Sequence, residues 1–144
     1  MSISKASARW EGSLKEGLGA MKPEHAEDVP FSLGTRFEGK KGSNPEEMIG
    51  AALAGCFSMA LTAALGKAGL TPRSVQTSAE VSLDKEGEGF KVTKIALSTT
   101  ADVPGADRVR FESIAEETKQ TCPISRALAG TVIALTASLA SPTT

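Results

Sequence analysis

Residues 48–66 contain no charged side chain, and this feature constrains the fold more than any other in the sequence. If the segment is helical, every face of the helix is apolar or carries small residues, and such a helix has to be buried all round. A transmembrane span is the alternative. Much of the segment is Ala, Gly, Ser or Thr rather than Leu, Ile or Val, which makes it a poor membrane anchor. A buried central helix is therefore favoured.

The residues on either side of this segment mark the ends of the helix. Asn44 is a favoured N-cap, and Pro45 suits the first helical position. Glu46 and Glu47 then fall in the first turn, where carboxylates complement the helix dipole. Gly69 is suited to terminate the helix, because glycine readily adopts the left-handed conformation common at helix C-termini. The sequence therefore predicts a helix that begins at Pro45 and is ended by Gly69.

Small residues recur within the helix at spacings of three and four, and the set comprises Gly50, Ala51, Ala54, Gly55 and Ser58. Residues at these spacings are neighbours on a helix surface. Their small side chains would allow another backbone to approach closely, so the pattern predicts a packed helix pair.

The remaining segments indicate strands and one surface helix. Glycines after residues 3–10 suggest an N-terminal hairpin, and residues 30–37 are typical of a short strand that leads into a polar loop. Alternating apolar residues predict a long hairpin formed by residues 70–84 and 90–103, followed by a surface helix that ends near Gln120. Residues 124–129 can form one or two helical turns, residues 131–139 a last strand, and residues 141–144 a frayed tail. The pattern is that of an α+β protein.

Composition narrows the class of protein. A chain of 144 residues is expected to form a single domain, residues 1–144. A net charge of -1 favours neither nucleic acid nor an anionic membrane surface as a partner, and the chain has no Tyr for stacking on bases. Two cysteines and no apolar run after Met1 predict a cytoplasmic, reducing location. The one histidine, His25, lies among charged residues, so we expect a solvated loop rather than a metal site or a triad.

The two cysteines, Cys56 and Cys122, are the candidates for chemistry. Cys56 lies near the middle of the apolar helix, where a small buried thiol without reactivity is the ordinary interpretation. Cys122 precedes Pro123 and falls at a helix N-cap, where free N–H groups and the helix dipole favour a thiolate. Local chemistry alone would therefore name Cys122 as the attacking residue. The spacing of the cysteines is not that of a zinc site, which leaves a redox pair as the more economical hypothesis.

Around these residues the sequence resembles the OsmC/Ohr family of bacterial hydroperoxide reductases, and its OsmC branch in particular. The matching segments are Thr35-Arg36-Phe37-Glu38-Gly39, Asn44-Pro45-Glu46-Glu47, Ala51-Ala52-x-Ala54-x-Cys56-Phe57-Ser58-Met59-Ala60, Val81-Ser82-Leu83-Asp84-Lys85 and Cys122-Pro123-x-Ser125. They extend over most of the chain. One departure is Gly55, because alanine is usual before the cysteine in this family.

The resemblance implies a fold, an activity and a set of site residues. The fold is an antiparallel β-sheet wrapped around a long apolar central helix, in an intertwined homodimer. The activity is thiol-dependent reduction of organic hydroperoxides, with an external dithiol as reductant and no cofactor. Cys56 corresponds to the peroxidatic cysteine and Cys122 to the resolving one, which reverses the local assignment. Arg36 corresponds to the arginine set against the reactive sulfur, and Glu46 to the carboxylate that orients it.

Three alternatives remain open from the sequence. Arg9 is a second candidate for the active-site arginine, and Glu47 is a second candidate for the orienting carboxylate. The third concerns function, because a cysteine pair also suits a redox-responsive sensor in which the disulfide alters an interaction without turnover.

The predicted helix adds a geometric condition to the implied site. Glu46 and Cys56 lie ten positions apart in the sequence, which corresponds to about 15 Å along one helix and about 80° of rotation around it. Glu46 therefore cannot join a site built on the Cys56 of its own helix. Two central helices packed antiparallel across a two-fold axis would bring the first turn of one beside the middle of the other. We therefore expect Arg36 and Glu46 to serve the Cys56 of the partner subunit, while Cys122 acts within its own chain.

Overall fold

A computed structural model describes residues 1–140 and divides the chain into two compact units, residues 1–48 and residues 49–144. The elements are β1 (Ala6–Glu11), β2 (Leu18–Pro23), β3 (Val29–Phe31), α1 (Leu33–Phe37), α2 (Pro45–Lys67), β4 (Ser74–Glu86), β5 (Gly89–Asp102), α3 (Arg108–Thr121), α4 (Pro123–Ala127) and β6 (Val132–Leu139). The α+β class predicted from the sequence is confirmed. The predicted tail, residues 141–144, lies outside the described residues.

The first unit contains a small antiparallel sheet with the strand order β1-β2-β3. The predicted N-terminal hairpin is formed by β1 and β2. Trp10 and Phe31 lie on the two outer strands, and their ring centroids are 5.6 Å apart. Gly19 lies on the strand between them, where a Cβ would stand 2.6 Å from the Trp10 ring and 2.7 Å from the Phe31 ring. Only glycine therefore allows the two rings to close over this point of the sheet.

Helix α1 corrects the prediction of a strand at residues 30–37. The strand ends at Phe31, and Ser32 begins a short helix as its N-cap. The Ser32 side chain accepts a hydrogen bond from the Thr35 backbone N–H, and the Thr35 hydroxyl accepts one from the Ser32 N–H. This reciprocal capping box stabilises a helical turn that hydrophobic alternation does not reveal. As a result Arg36 lies on a helix rather than on a strand.

Helix α2 begins at Pro45, as predicted. The Asn44 side-chain oxygen accepts a hydrogen bond of 2.8 Å from the Glu47 backbone N–H, which is the expected N-cap interaction. The helix ends at Lys67, and Gly69 follows it with a φ of 81°. Glycine adopts this left-handed conformation without a Cβ penalty, so the predicted stop is confirmed.

The second unit contains a three-stranded sheet with the order β4-β5-β6. β4 and β5 form the predicted long hairpin, with a register shift between Ser82 and Leu83. β6 pairs parallel with β5, so the expectation of a purely antiparallel sheet is wrong for this strand. The reason is the connection, because α3 and α4 lie between β5 and β6 and return the chain to the end at which β5 began. Both helices fall where the sequence predicts helical structure.

One side of α2 packs into the core of the second unit. Leu53, Phe57, Leu61 and Leu65 recur at every fourth position, and each is 0% exposed. Two of the small residues also face the unit's own sheet. A Cβ on Gly50 would lie 3.2 Å from a Val81 methyl group, and the Ser58 hydroxyl donates to the Thr77 hydroxyl at 2.7 Å. These small residues therefore serve packing within the chain rather than a helix pair.

The opposite side of α2 is open to solvent in the single chain. This exposed face of α2 is formed by Ala51, Ala52, Gly55, Met59, Thr62, Ala63 and Gly66. Met59 is 79% exposed, and a Cβ added to Gly55 or Gly66 would meet no atom within 4 Å. The prediction that the helix is buried all round is thus wrong for one chain by itself. By length and composition α2 could also cross a membrane, a test that core helices of soluble proteins pass as well.

Candidate active site

The two cysteines meet in the second unit, although 66 positions separate them in the sequence. Cys56 lies on α2 next to the buried residue Phe57 and is itself partly exposed. Cys122 lies at the junction of α3 and α4, where Pro123 starts α4 and the Cys122 backbone, with φ -55° and ψ 128°, leaves the helical conformation. Its side chain is 1% exposed. The fold therefore brings one accessible and one enclosed thiol together.

The distance between the two sulfur atoms is 2.9 Å, and both cysteines are free thiols. A disulfide bond has an S–S length of about 2.05 Å, so the sulfurs need to move by only about 1 Å to form one. The backbone at Cys122 is anchored on both sides, because its N–H donates to the Thr118 carbonyl at 2.8 Å and its carbonyl accepts from the Arg126 N–H at 3.0 Å. The pair is thus arranged for reversible oxidation.

The surroundings shift the pKa values of the two thiols in opposite directions. Burial raises the pKa of Cys56, the hydrogen bond to Cys122 raises it further, and the Ile124 backbone N–H only partly offsets these effects. Burial also raises the pKa of Cys122, but neighbouring donor groups that stabilise its thiolate outweigh burial, and these are the Cys56 thiol, the Ser125 N–H and hydroxyl and the Ile124 N–H. The net pKa of Cys122 is therefore lowered. Within this pair the enclosed sulfur carries negative charge more readily, as local sequence chemistry predicts.

Arg36 and Glu46 form an ion pair within the first unit. The Arg36 Nη2 lies 2.5 Å from Glu46 Oε1, and Nε lies 3.1 Å from both carboxylate oxygens. The Glu46 side chain is only 10% exposed and that of Arg36 is 35% exposed. The guanidinium also lies over the Phe37 ring, 5.2 Å from its centroid. These contacts hold the guanidinium in a fixed orientation, and they lie in a different unit from the cysteine pair.

The alternatives from the sequence occupy other positions. Glu47 accepts a hydrogen bond from the Ser43 hydroxyl at 2.9 Å, so Glu46 is the carboxylate that contacts Arg36. Arg9 lies on the exposed strand β1 and pairs with Glu11. The His25 side chain is 90% exposed, in agreement with a solvated loop. Among residues 1–140, no group of three or more His, Cys, Asp or Glu side chains could hold a metal ion.

Ser125 is the residue beside the cysteines to which sequence reasoning gave no role. It is 6% exposed, and its Oγ makes no hydrogen bond within the part of the chain that the structure describes. It occupies the third position of α4, counted from Cys122 as the N-cap. The Cys-Pro-x-Ser spacing was the available signal, because a side chain at that position usually faces the N-cap residue.

The fold and the close cysteine pair define a thiol–disulfide redox protein. The sequence model of the OsmC-like protein family matches residues 38–136. Over 126 residues the chain is 51% identical to the peroxiredoxin OsmC of Escherichia coli, covering 86% of this chain and 88% of that protein. It is also 31% identical over 97 residues to the organic hydroperoxide resistance protein OhrB of Bacillus subtilis, covering 66% and 68% of the two chains. This chain belongs to the OsmC family, as the resemblance indicated.

Solved structures agree with the fold. An OsmC-like protein of unknown function from Vibrio cholerae matches with a TM-score of 0.75 at 18% identity, over 95% of this chain and 99% of that one. The organic hydroperoxide resistance protein OsmC from Legionella pneumophila matches with a TM-score of 0.70 at 20% identity, over 98% and 100% of the chains. The α+β fold with a central helix is therefore shared with this family.

Proposed function

We propose that this chain is a thiol-dependent peroxidase that reduces organic hydroperoxides to alcohols through a Cys56 sulfenic acid and a Cys56–Cys122 disulfide. The observation that carries the proposal is the 2.9 Å separation of two sulfur atoms that lie 66 positions apart in the sequence. Relatives named peroxiredoxin OsmC and organic hydroperoxide resistance protein support both the reaction and the substrate class.

The reaction proceeds in two steps on the protein. The Cys56 thiolate attacks one peroxide oxygen, the O–O bond breaks, and the alkoxide takes up a proton and leaves as the alcohol. Cys56 is left as a sulfenic acid. The Cys122 thiolate then attacks the Cys56 sulfur, hydroxide leaves as water, and the disulfide forms. The lowered pKa of Cys122 suits this second step, because the thiolate is the attacking species.

The first step requires a positive charge near Cys56. Burial and the contact with Cys122 raise the pKa of Cys56, so its thiolate needs a compensating cation. We propose that Arg36, oriented by Glu46, supplies that charge and polarises the peroxide. The ion pair supports this role, because it holds the fixed fork of guanidinium donors in one direction.

We propose that a second subunit supplies this arginine. The exposed face of α2 is apolar and carries small residues, which is the surface that close packing of two central helices requires. An antiparallel helix pair would place Arg36 and Glu46 beside the Cys56 of the partner, in a homodimer with two equivalent sites. The single-domain organisation of residues 1–144 and the cytoplasmic location remain predictions alongside it.

Steady-state consumption of cumene hydroperoxide with a supplied dithiol tests the reaction. The unmodified protein should consume many equivalents of peroxide, and Cys56→Ser should consume none. Turnover by Cys56→Ser would exclude the proposed reaction. The same assay addresses the sensor hypothesis, because a redox-responsive sensor would stop after about one equivalent of peroxide per chain even with excess dithiol.

Subunit mixing tests the shared site. Cys56→Ser and Arg36→Ala are each expected to be inactive as homodimers. After subunit exchange, a mixed dimer contains one site with both the cysteine and the arginine, so activity should reappear. If mass spectrometry shows mixed dimers and no activity returns, Arg36 acts on the Cys56 of its own chain.

A further inference from the structure

We propose that the regenerating dithiol attacks the Cys56 sulfur of the disulfide, and that the Ser125 hydroxyl donates a hydrogen bond to the Cys122 sulfur as it leaves. The inference rests on the disulfide cycle proposed above and adds its direction and one further residue.

Access determines which sulfur is attacked. Cys122 is 1% exposed and belongs to the buried core cluster together with Phe57 and Phe111. This enclosure is provided by the chain itself, so association with another subunit cannot open it. Cys56 is partly exposed. An attacking thiolate approaches a disulfide through one of its two sulfurs, and only Cys56 offers a path that leaves the core intact.

Ser125 is placed to assist the other sulfur. In a capping box the side chain at the third helical position bonds to the N-cap backbone N–H. Here that N–H belongs to Cys122 and already donates to the Thr118 carbonyl at 2.8 Å. The Ser125 hydroxyl is buried, has no hydrogen-bond partner among the described residues, and lies on the same short helix that Cys122 caps. A buried hydroxyl without a partner is costly, and a thiolate at the N-cap would satisfy it.

The electrostatics of the pair agree with this direction. The neighbours that lower the pKa of Cys122 are Cys56, the Ile124 N–H and both the N–H and the hydroxyl of Ser125. A thiol with a lower pKa leaves a disulfide faster. Cys56, with its raised pKa, is the poorer leaving group of the two.

The step balances as follows for a dithiol reductant. One dithiol sulfur, as thiolate, bonds to Cys56 Sγ while the Cys56–Cys122 bond breaks, and the electron pair goes to Cys122 Sγ. The second dithiol sulfur, after losing its proton, displaces Cys56 from the mixed disulfide and closes a disulfide within the reductant. The two protons of the dithiol are taken up by the two cysteines or released to solvent. Two electrons pass from the dithiol to the protein disulfide.

Trapping the mixed disulfide on the unmodified protein tests the direction of attack. The protein is oxidised with diamide, reacted briefly with a monothiol such as glutathione, quenched in acid, unfolded and labelled with N-ethylmaleimide. Trypsin places Cys56 in a peptide of residues 42–67 and Cys122 in a peptide of residues 120–126. We expect glutathione on the first peptide and maleimide on the second. The reverse distribution, or an even one, would overturn the proposal.

Substitution of Ser125 tests its part. Stopped-flow reduction of the diamide-oxidised protein by dithiothreitol should be about threefold to tenfold slower in Ser125→Ala, because one hydrogen bond to the leaving sulfur is lost. The pKa of Cys122, followed by thiolate absorbance in a Cys56→Ser background, should rise in the same variant. A role in folding alone would not move this pKa. Ser125→Thr, which keeps the hydroxyl, should reduce at close to the unmodified rate.

Thr121→Ala is the matched control, because it removes a hydroxyl next to Cys122 that bonds to the Glu117 carbonyl instead. It should leave both the reduction rate and the pKa of Cys122 unchanged. Equal effects in Thr121→Ala and Ser125→Ala, or an unchanged rate in Ser125→Ala, would overturn the role of Ser125. All these assays start from diamide and use no peroxide. Failure of the peroxidase proposal would therefore appear only in the peroxide assay, and the reduction assays could still be interpreted.

Discussion

Replacement of Gly55 by alanine tests the assignment of one buried and one exposed side to α2, because a glycine-to-alanine substitution should stabilise the protein on the exposed side and not on the buried side. Gly55 lies on the exposed face, and an added Cβ would meet no atom within 4 Å. Alanine is favoured over glycine in a helix interior by about 1 kcal/mol, so Gly55→Ala should raise the free energy of unfolding by about that amount. Gly50→Ala is the matched variant, where the Cβ would lie 3.2 Å from a Val81 methyl group and 3.5 Å from the Ala79 Cβ.

Urea unfolding at one fixed protein concentration measures both variants. Fixed concentration is needed because dimerisation would add to the apparent stability. We expect a higher midpoint with an unchanged slope for Gly55→Ala, and no gain or a loss for Gly50→Ala, since crowding offsets the helix propensity. Equal stabilisation by the two substitutions would refute the assignment of one buried and one exposed side to α2.

Four further outcomes follow from the structure. Gly55→Leu should fold but scatter light as a monomer and lose peroxide turnover, while diamide still joins Cys56 to Cys122; an active dimer would contradict the proposed interface. Phe57→Ala removes a side chain that is 0% exposed and should cost about 3–5 kcal/mol in urea unfolding. In a Cys122→Ser background, Arg36→Ala should raise the pKa of Cys56, followed by thiolate absorbance, because it would remove the positive charge that we propose the partner subunit places beside this sulfur; an unchanged pKa would exclude this arginine. Cys122→Ser alone should consume about one equivalent of peroxide when no dithiol is present and leave a Cys56 sulfenic acid that dimedone labels.

Local signals predicted the helices and hairpins whose ends are set by neighbouring residues. Pro45 starts α2 because Asn44 caps it, and Gly69 follows the helix in a left-handed conformation. Helix α1 was missed because its signal is the Ser32 and Thr35 capping box rather than a hydrophobic period. The parallel pairing of β6 with β5 is a property of the connection between them, which alternation along a strand does not encode.

In the candidate site, too, local features could be predicted from the sequence and contacts between distant segments could not. Local chemistry identified Cys122 as the more acidic thiol, and its lowered pKa agrees. Nothing near Cys56 in the sequence predicts its contact with Cys122, because a pairing across 66 positions is decided by packing. The small residues of α2 show the limit of spacing arguments. Gly50 and Gly55 share one pattern, yet Gly50 faces a strand of its own chain and Gly55 faces open space.

Because the two cysteines lie far apart in the sequence, the redox state of the pair should also affect the free energy of unfolding. A bond between Cys56 and Cys122 would close a loop across 66 positions, and the loss of unfolded-chain entropy for a loop of that size is worth about 4 kcal/mol. The oxidised intermediate would then resist heat and proteases better than the resting protein. An enzyme that awaits its reductant under peroxide stress would be in its most durable form during that wait.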